Sequence, residues 1–150
     1  MKKSVTKKIM ACFAMFSCLL ISGCGDSSKD QIIAVYDYSS STEKEYGGAD
    51  KAADDLVNKL CDYFLDGESE TEEIPGEASG YKRIDVFQTD SYASAGQQKT
   101  DGNRIIHIEL YRYNDEIYCK ASFDFLNQEY TAKLPAEISS QVEKLEAEGQ

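Results

Sequence analysis

With 150 residues, 27 of them acidic and 16 basic, the chain carries a formal charge of −11. A field of that sign excludes nucleic acid as a partner, because a phosphate backbone is bound by clustered Lys and Arg, and it opposes lying flat on anionic lipid. The length suits one folded unit that buries roughly two thirds of its unfolded surface.

Lys2, Lys3, Lys7 and Lys8 precede a largely apolar run of 13 residues, Ile9 to Ile21, and Ser22-Gly23-Cys24 follow. This is the layout of a secretory signal. A helix that crosses a bilayer needs roughly 20 apolar residues, and strongly polar chain begins at Asp26, so the run is too short to be kept as a span. Ile21-Ser22-Gly23-Cys24 resembles the lipobox of bacterial lipoproteins, in which a hydrophobic residue and two small residues precede an obligatory cysteine. The resemblance covers residues 1–24. It implies export, a diacylglyceryl group in thioether linkage to the Cys24 sulfur, cleavage before Cys24, and residence on the extracytoplasmic face of the cell membrane. Two acyl chains, at about 0.8 kcal/mol per buried methylene, contribute on the order of 20 kcal/mol gross. Loss of residues 1–23 removes four lysines and no acid, leaving 12 basic and 27 acidic residues and a formal charge of −15.

The expected organisation is therefore a signal peptide over 1–23, a lipid-anchored tether over 24–30, and a single α+β domain over 31–150. In chain order, Gln31 to Tyr38 is rich in β-branched and aromatic residues and predicts a strand. The stretch "SSSTEKEYGG" reads as a loop. Asp50 opens a helix to about Leu65, because Ala53, Leu56, Val57, Leu60 and Phe64 recur at three- and four-residue steps. Asp66 to Gly80, with six carboxylates, a Pro and three Gly, reads as an exposed loop whose acid spacing does not match a calcium-binding EF-hand. Lys82 to Gln88 predicts a second strand, and Thr89 to Asn103 a long polar connection.

Arg104 to Leu134 predicts a three-stranded antiparallel meander. A two-residue turn at Asn114-Asp115 sets Leu110 against Cys119, Ile108 against Ala121 and Ile106 against Phe123, so both apolar sets fall on one side. A second turn at Asn127-Gln128 pairs Phe125 with Tyr130 and Phe123 with Ala132 on that same side. Pro135 then starts a closing helix with Ile138, Val142 and Leu145 as its apolar stripe. The expected fold is α+β: a largely antiparallel sheet with a C-terminal three-stranded meander, packed by two helices in the order β-α-β-β-β-β-α.

Of five cysteines, Cys12 and Cys18 lie in the signal and Cys24 is assigned to lipid. Cys61 and Cys119 remain, one on the first helix and one on the inner sheet face. Without a Cys-x-x-Cys pair or a nearby histidine they support neither a redox motif nor a zinc site, and both a disulfide and two buried free thiols fit their placement. No metal or cofactor is expected. His107, the sole histidine, falls on the outer sheet face opposite Ser122 with Glu109 beside it. A flat sheet lacks the sharp turn and oxyanion hole that a Ser-His hydrolase requires, so the trio reads as outer-face polarity. Ile105, Tyr111, Tyr113 and Tyr118 share that face. Aromatics there stack on sugars or anchor a protein partner when open, and are plain packing when covered. The expected function is a membrane-anchored extracytoplasmic lipoprotein whose small non-catalytic domain binds a protein or glycan of the cell envelope. The alternatives are a small envelope enzyme using His107 and an acidic immunity or inhibitor protein that masks a basic target.

Overall fold

The structure is a computed structural model that describes residues 31–47, 51–67, 69–88 and 103–147. The expected signal peptide over 1–23, the lipobox-like stretch ending at Cys24, the expected tether over 24–30 and the connection over 89–102 lie outside the described residues. Strand β1 (Gln31–Asp37) turns into β2 (Thr42–Gly47), helix α1 (Lys51–Leu65) follows, then β3 (Ser79–Gln88), β4 (Arg104–Tyr113), β5 (Glu116–Phe123), β6 (Gln128–Lys133) and helix α2 (Ala136–Ala147). The strands form one antiparallel sheet in the order β2-β1-β3-β4-β5-β6. The α+β class and the order β-α-β-β-β-β-α hold, with β2 added as an edge strand ahead of α1.

The β2 stretch reads as loop from sequence because Glu43, Lys44 and Glu45 are all exposed and Tyr46 alone among Thr42 to Tyr46 is buried. An edge strand carrying charge on both faces has no alternation to reveal it. The β4–β5 register is the predicted one, from Tyr113 opposite Glu116 to Ile106 opposite Phe123. Asn114 and Asp115 both take left-handed backbone, φ 49° and 62°, as a two-residue hairpin requires. The β5–β6 turn differs. Phe123 pairs with Gln128, Ala121 with Tyr130 and Cys119 with Ala132, so the loop is Asp124 to Asn127, four residues long. Leu126 N–H donates to Phe123 C=O at 3.0 Å, and Asn127 closes the loop at φ 51°. Such local bonds favour the longer loop over the two-residue turn. Because the displacement along β6 is even, every side chain keeps its face.

One side of the sheet holds the core. Ile33, Val35, Ile84, Val86, Ile106, Ile108, Leu110, Ile117, Cys119, Ala121 and Phe123 meet the α1 stripe (Ala53, Leu56, Val57, Leu60, Cys61, Phe64, Leu65) and Ile138, Val142 and Leu145 of α2. Each Val, Leu, Ile or Phe among them contributes roughly 1.5–3 kcal/mol on burial. Gly67, at φ 75°, reverses the chain after α1, and Pro135 C=O accepts the first helical bond from Ser139 N–H at 3.0 Å. Among the described residues no helix is long and apolar enough to cross a membrane.

A bulge in β3 leaves Tyr81 without a register partner between Gly80 and Lys82. Its ring turns to the core side, where the Arg112 guanidinium lies 4.1 Å and the Lys82 ammonium 5.1 Å from its centroid. Lys82 is 3% exposed and pairs with Asp37 at 2.9 Å.

Candidate functional site

The opposite face of the sheet is polar and aromatic. Antiparallel pairing sets Tyr36, Arg83 and Glu109 in one row, Asp85, His107 and Ser122 in the next, and Tyr111 opposite Tyr118 beyond. Among the described residues the two helices share the core on the other side, and the segment 69–78 reaches this face through Glu77.

At its centre is a chain of hydrogen bonds. Asp85, itself buried, lies 2.5 Å from His107 Nδ1 through Oδ1 and accepts from Arg83 Nε at 2.9 Å through Oδ2. His107 Nε2 is 3.5 Å from Glu109 Oε1, and the Tyr111 hydroxyl donates to Glu109 Oε2 at 2.5 Å. The Asp85 bond raises the His107 pKa above 6.5 against the opposing effect of burial. The Tyr111 bond holds Glu109 below its ordinary value, and the same bond, with burial, lifts the Tyr111 phenol to about 12.

An imidazole flanked by two carboxylates is favoured in its protonated form, which has no lone pair to take up a proton. Ser122, opposite it, donates to Glu129 at 3.3 Å. The geometry therefore builds an ion-pair node, which is not the serine activation that a hydrolase needs. Among the described residues no group of three or more His, Cys, Asp or Glu side chains is arranged to hold a metal ion.

The node makes stability depend on pH. His107 has a higher pKa folded than unfolded, so its contribution is complete below about 6.5 and is lost as pH rises through the folded value. Thermal midpoints should fall between pH 6 and pH 9. His107→Gln should flatten that fall, and an NMR titration of the imidazole should give a value above 6.5. A midpoint that stays level in the wild type, or falls equally in the variant, would remove the node from the account.

Toward the far end, tyrosine hydroxyls each meet a carboxylate. Tyr118 donates to Glu116 at 3.2 Å and Tyr113 to Glu77 at 3.4 Å. Tyr38 closes the row. Its ring rests on Gly80, 3.5 Å from where a β-carbon would sit, and meets Tyr36 edge-on at 5.1 Å. The segment after α1 rounds the β6 edge, where Glu72 N–H donates to Thr131 C=O at 3.1 Å, and reaches the outer face at Tyr113. The Glu72 charge also helps raise the Tyr118 phenol, after burial and the Glu116 bond, and the Lys133 ammonium, after Glu116. The face is thus partly covered: Tyr118 is 9% exposed, Tyr111 and Tyr113 are half-buried, and Tyr38 is 41% exposed. Ile105 sits in a second bulge and packs on the core.

Cys61 and Cys119 are both buried as free thiols on facing elements of the core, and burial raises both pKa values. Neither is a thiolate at neutral pH. A shallow pocket of about 290 Å³ lies beside the β5–β6 loop, lined by polar groups that include Ser122, Asp124 and Glu129. These are engaged locally, Ser122 with Glu129 and Asp124 with Arg104 at 2.9 Å.

Asp85, Tyr38 and Glu77 belong to this face and are not singled out by sequence reasoning. Asp85 meets His107 only through the β3–β4 pairing, which spans a long polar connection. Tyr38 has a local signal, its place two residues after Tyr36, which puts the two rings on one strand face. Comparison with family models, with curated proteins and with solved structures gives no match, so the outer face is interpreted from its own chemistry.

Proposed function

We propose that the chain is an exported lipoprotein, moored by a diacylglyceryl group on Cys24, whose folded part is a non-catalytic binding domain for a protein or other component of the cell envelope. The observation that carries the mooring is Ile21-Ser22-Gly23-Cys24 at the end of a basic and then apolar leader. The binding role is supported by the outer sheet face, which offers rigid tyrosine area with polar tips and a histidine committed to ion pairs. Tyrosines of this kind supply contact area at low entropic cost.

Expression with a clickable palmitate analogue tests the mooring. The wild-type chain should carry label, lack residues 1–23 and sediment with membranes. Cys24→Ala should carry none and leave the membrane fraction after alkaline wash. A wild-type chain recovered unlabelled with its leader intact would overturn the reading.

A further inference from the structure

We infer that the end of the outer sheet face remote from Gln31 docks a lysine- or arginine-bearing segment of a protein partner. This deepens the binding reading above and rests on it. Six residue steps of β1 at about 3.3 Å each put Asp37 roughly 20 Å from Gln31, and Tyr38, Gly80, Tyr111, Tyr113 and Tyr118 all lie at that end of their strands.

Charge is unevenly placed on the face. His107 and Arg104 occupy its other half, meshed with Asp85 and Asp124, while Arg83, 5.0 Å from the Tyr36 ring centroid, and Lys120 lie in the middle row, paired with Glu43, Asp85 and Glu129. At the tyrosine end Lys133 pairs with Glu116 on this face, and Arg112 and Lys82 lie on the core side, paired with Glu143 and Asp37. Glu77 and the exposed acids of the segment before it bring further negative charge to that end.

The hydrogen-bonding inventory points the same way. Tyr111, Tyr113 and Tyr118 each spend their single proton on a carboxylate. The surface left is rich in acceptors and poor in donors. A glycan hydroxyl needs both kinds of partner, whereas ammonium and guanidinium groups are donors only. Tyr38 adds a ring supported from one side by Gly80 and 41% exposed, open to a cation over its π-face.

The test uses the full-length chain in neutral detergent micelles, so the result does not depend on whether Cys24 carries lipid, and failure here is distinguishable from failure of the mooring. The probe is a fluorescent peptide of alternating lysine and glycine, followed by anisotropy, with a chitin hexamer as competitor. Tyr38→Ala should weaken binding about 2- to 5-fold, the range of an exposed cation–π contact, and Glu72→Gln with Glu77→Gln should weaken it about 5-fold. Asp54→Asn with Asp55→Asn, which removes equal charge from α1, should change it less than about 2-fold, since exposed charges beyond a Debye length are screened. Equal losses in the α1 and tyrosine-end variants would reduce the effect to bulk charge and overturn the proposal. An unaltered Tyr38→Ala, or displacement of the peptide by the chitin hexamer, would do so as well.

Discussion

Asp37→Ala should lower the unfolding free energy by about 3–5 kcal/mol, because it strips a buried ammonium of its carboxylate. Lys82 is 3% exposed, and its Nζ lies 2.9 Å from Asp37 Oδ2. The other carboxylate oxygen organises the β1–β2 loop, accepting from Ser39 N–H at 2.7 Å, Ser39 Oγ at 2.5 Å and Ser40 N–H at 3.3 Å. Burial alone would raise the Asp37 pKa, yet the Ser39 and Lys82 hydrogen bonds outweigh it and leave the carboxyl well below the usual range. That contribution is present above about pH 4 and is lost as pH falls through the folded value. Lys82→Met is the informative companion. It removes the buried charge and leaves Asp37 near the surface with its loop bonds, so the change should stay within about 1 kcal/mol. Urea unfolding of both variants decides the matter: a smaller loss from Asp37→Ala than from Lys82→Met would contradict the burial of this pair.

Phe123→Ala should cost about 3–5 kcal/mol through lost transfer energy and the cavity left behind. The ring is wholly buried at the end of β5, edge-on to Tyr130 at 5.7 Å and to Phe125 at 6.2 Å. It therefore ties the four-residue loop and β6 to the core. Phe123→Leu should lose about 1–1.5 kcal/mol, since much of the volume is kept. The slope of the urea transition should not change, because the surface exposed on unfolding is nearly the same. A loss below about 1 kcal/mol for the alanine variant would mean that β6 is not packed on this ring.

The elements with strong period were legible from sequence, and the contacts between distant elements were not. The α1 stripe recurs at helical steps, and Asn114-Asp115 selects its own turn type, so helix and hairpin follow from local chemistry. At Asp124 to Asn127 two loop lengths satisfy the same face pattern, and hydrogen bonds to Phe123 and Asp124 C=O decide between them. Pattern fixes parity. It does not fix register to the residue. The buried Lys82 has no sequence signal, because a lysine reads as solvated until a partner strand brings a carboxylate beside it. On the outer face, the Asn114-Asp115 hairpin alone sets Tyr111 opposite Tyr118, whereas Asp85 meets His107 and Tyr38 meets Gly80 through β3, whose partners are far away in sequence.

The composition of β2 bears on how copies of the chain tolerate crowding. For two sheets to fuse edge to edge with matched faces, antiparallel β2 strands must centre on one residue, and every such centre within Glu43-Lys44-Glu45 sets like charges across the seam. On the opposite rim the Thr131 C=O already accepts from Glu72 N–H. One border of the sheet therefore sets like charges against its own image and the other is engaged at Thr131, so backbone zippering of neighbouring copies is resisted at both edges.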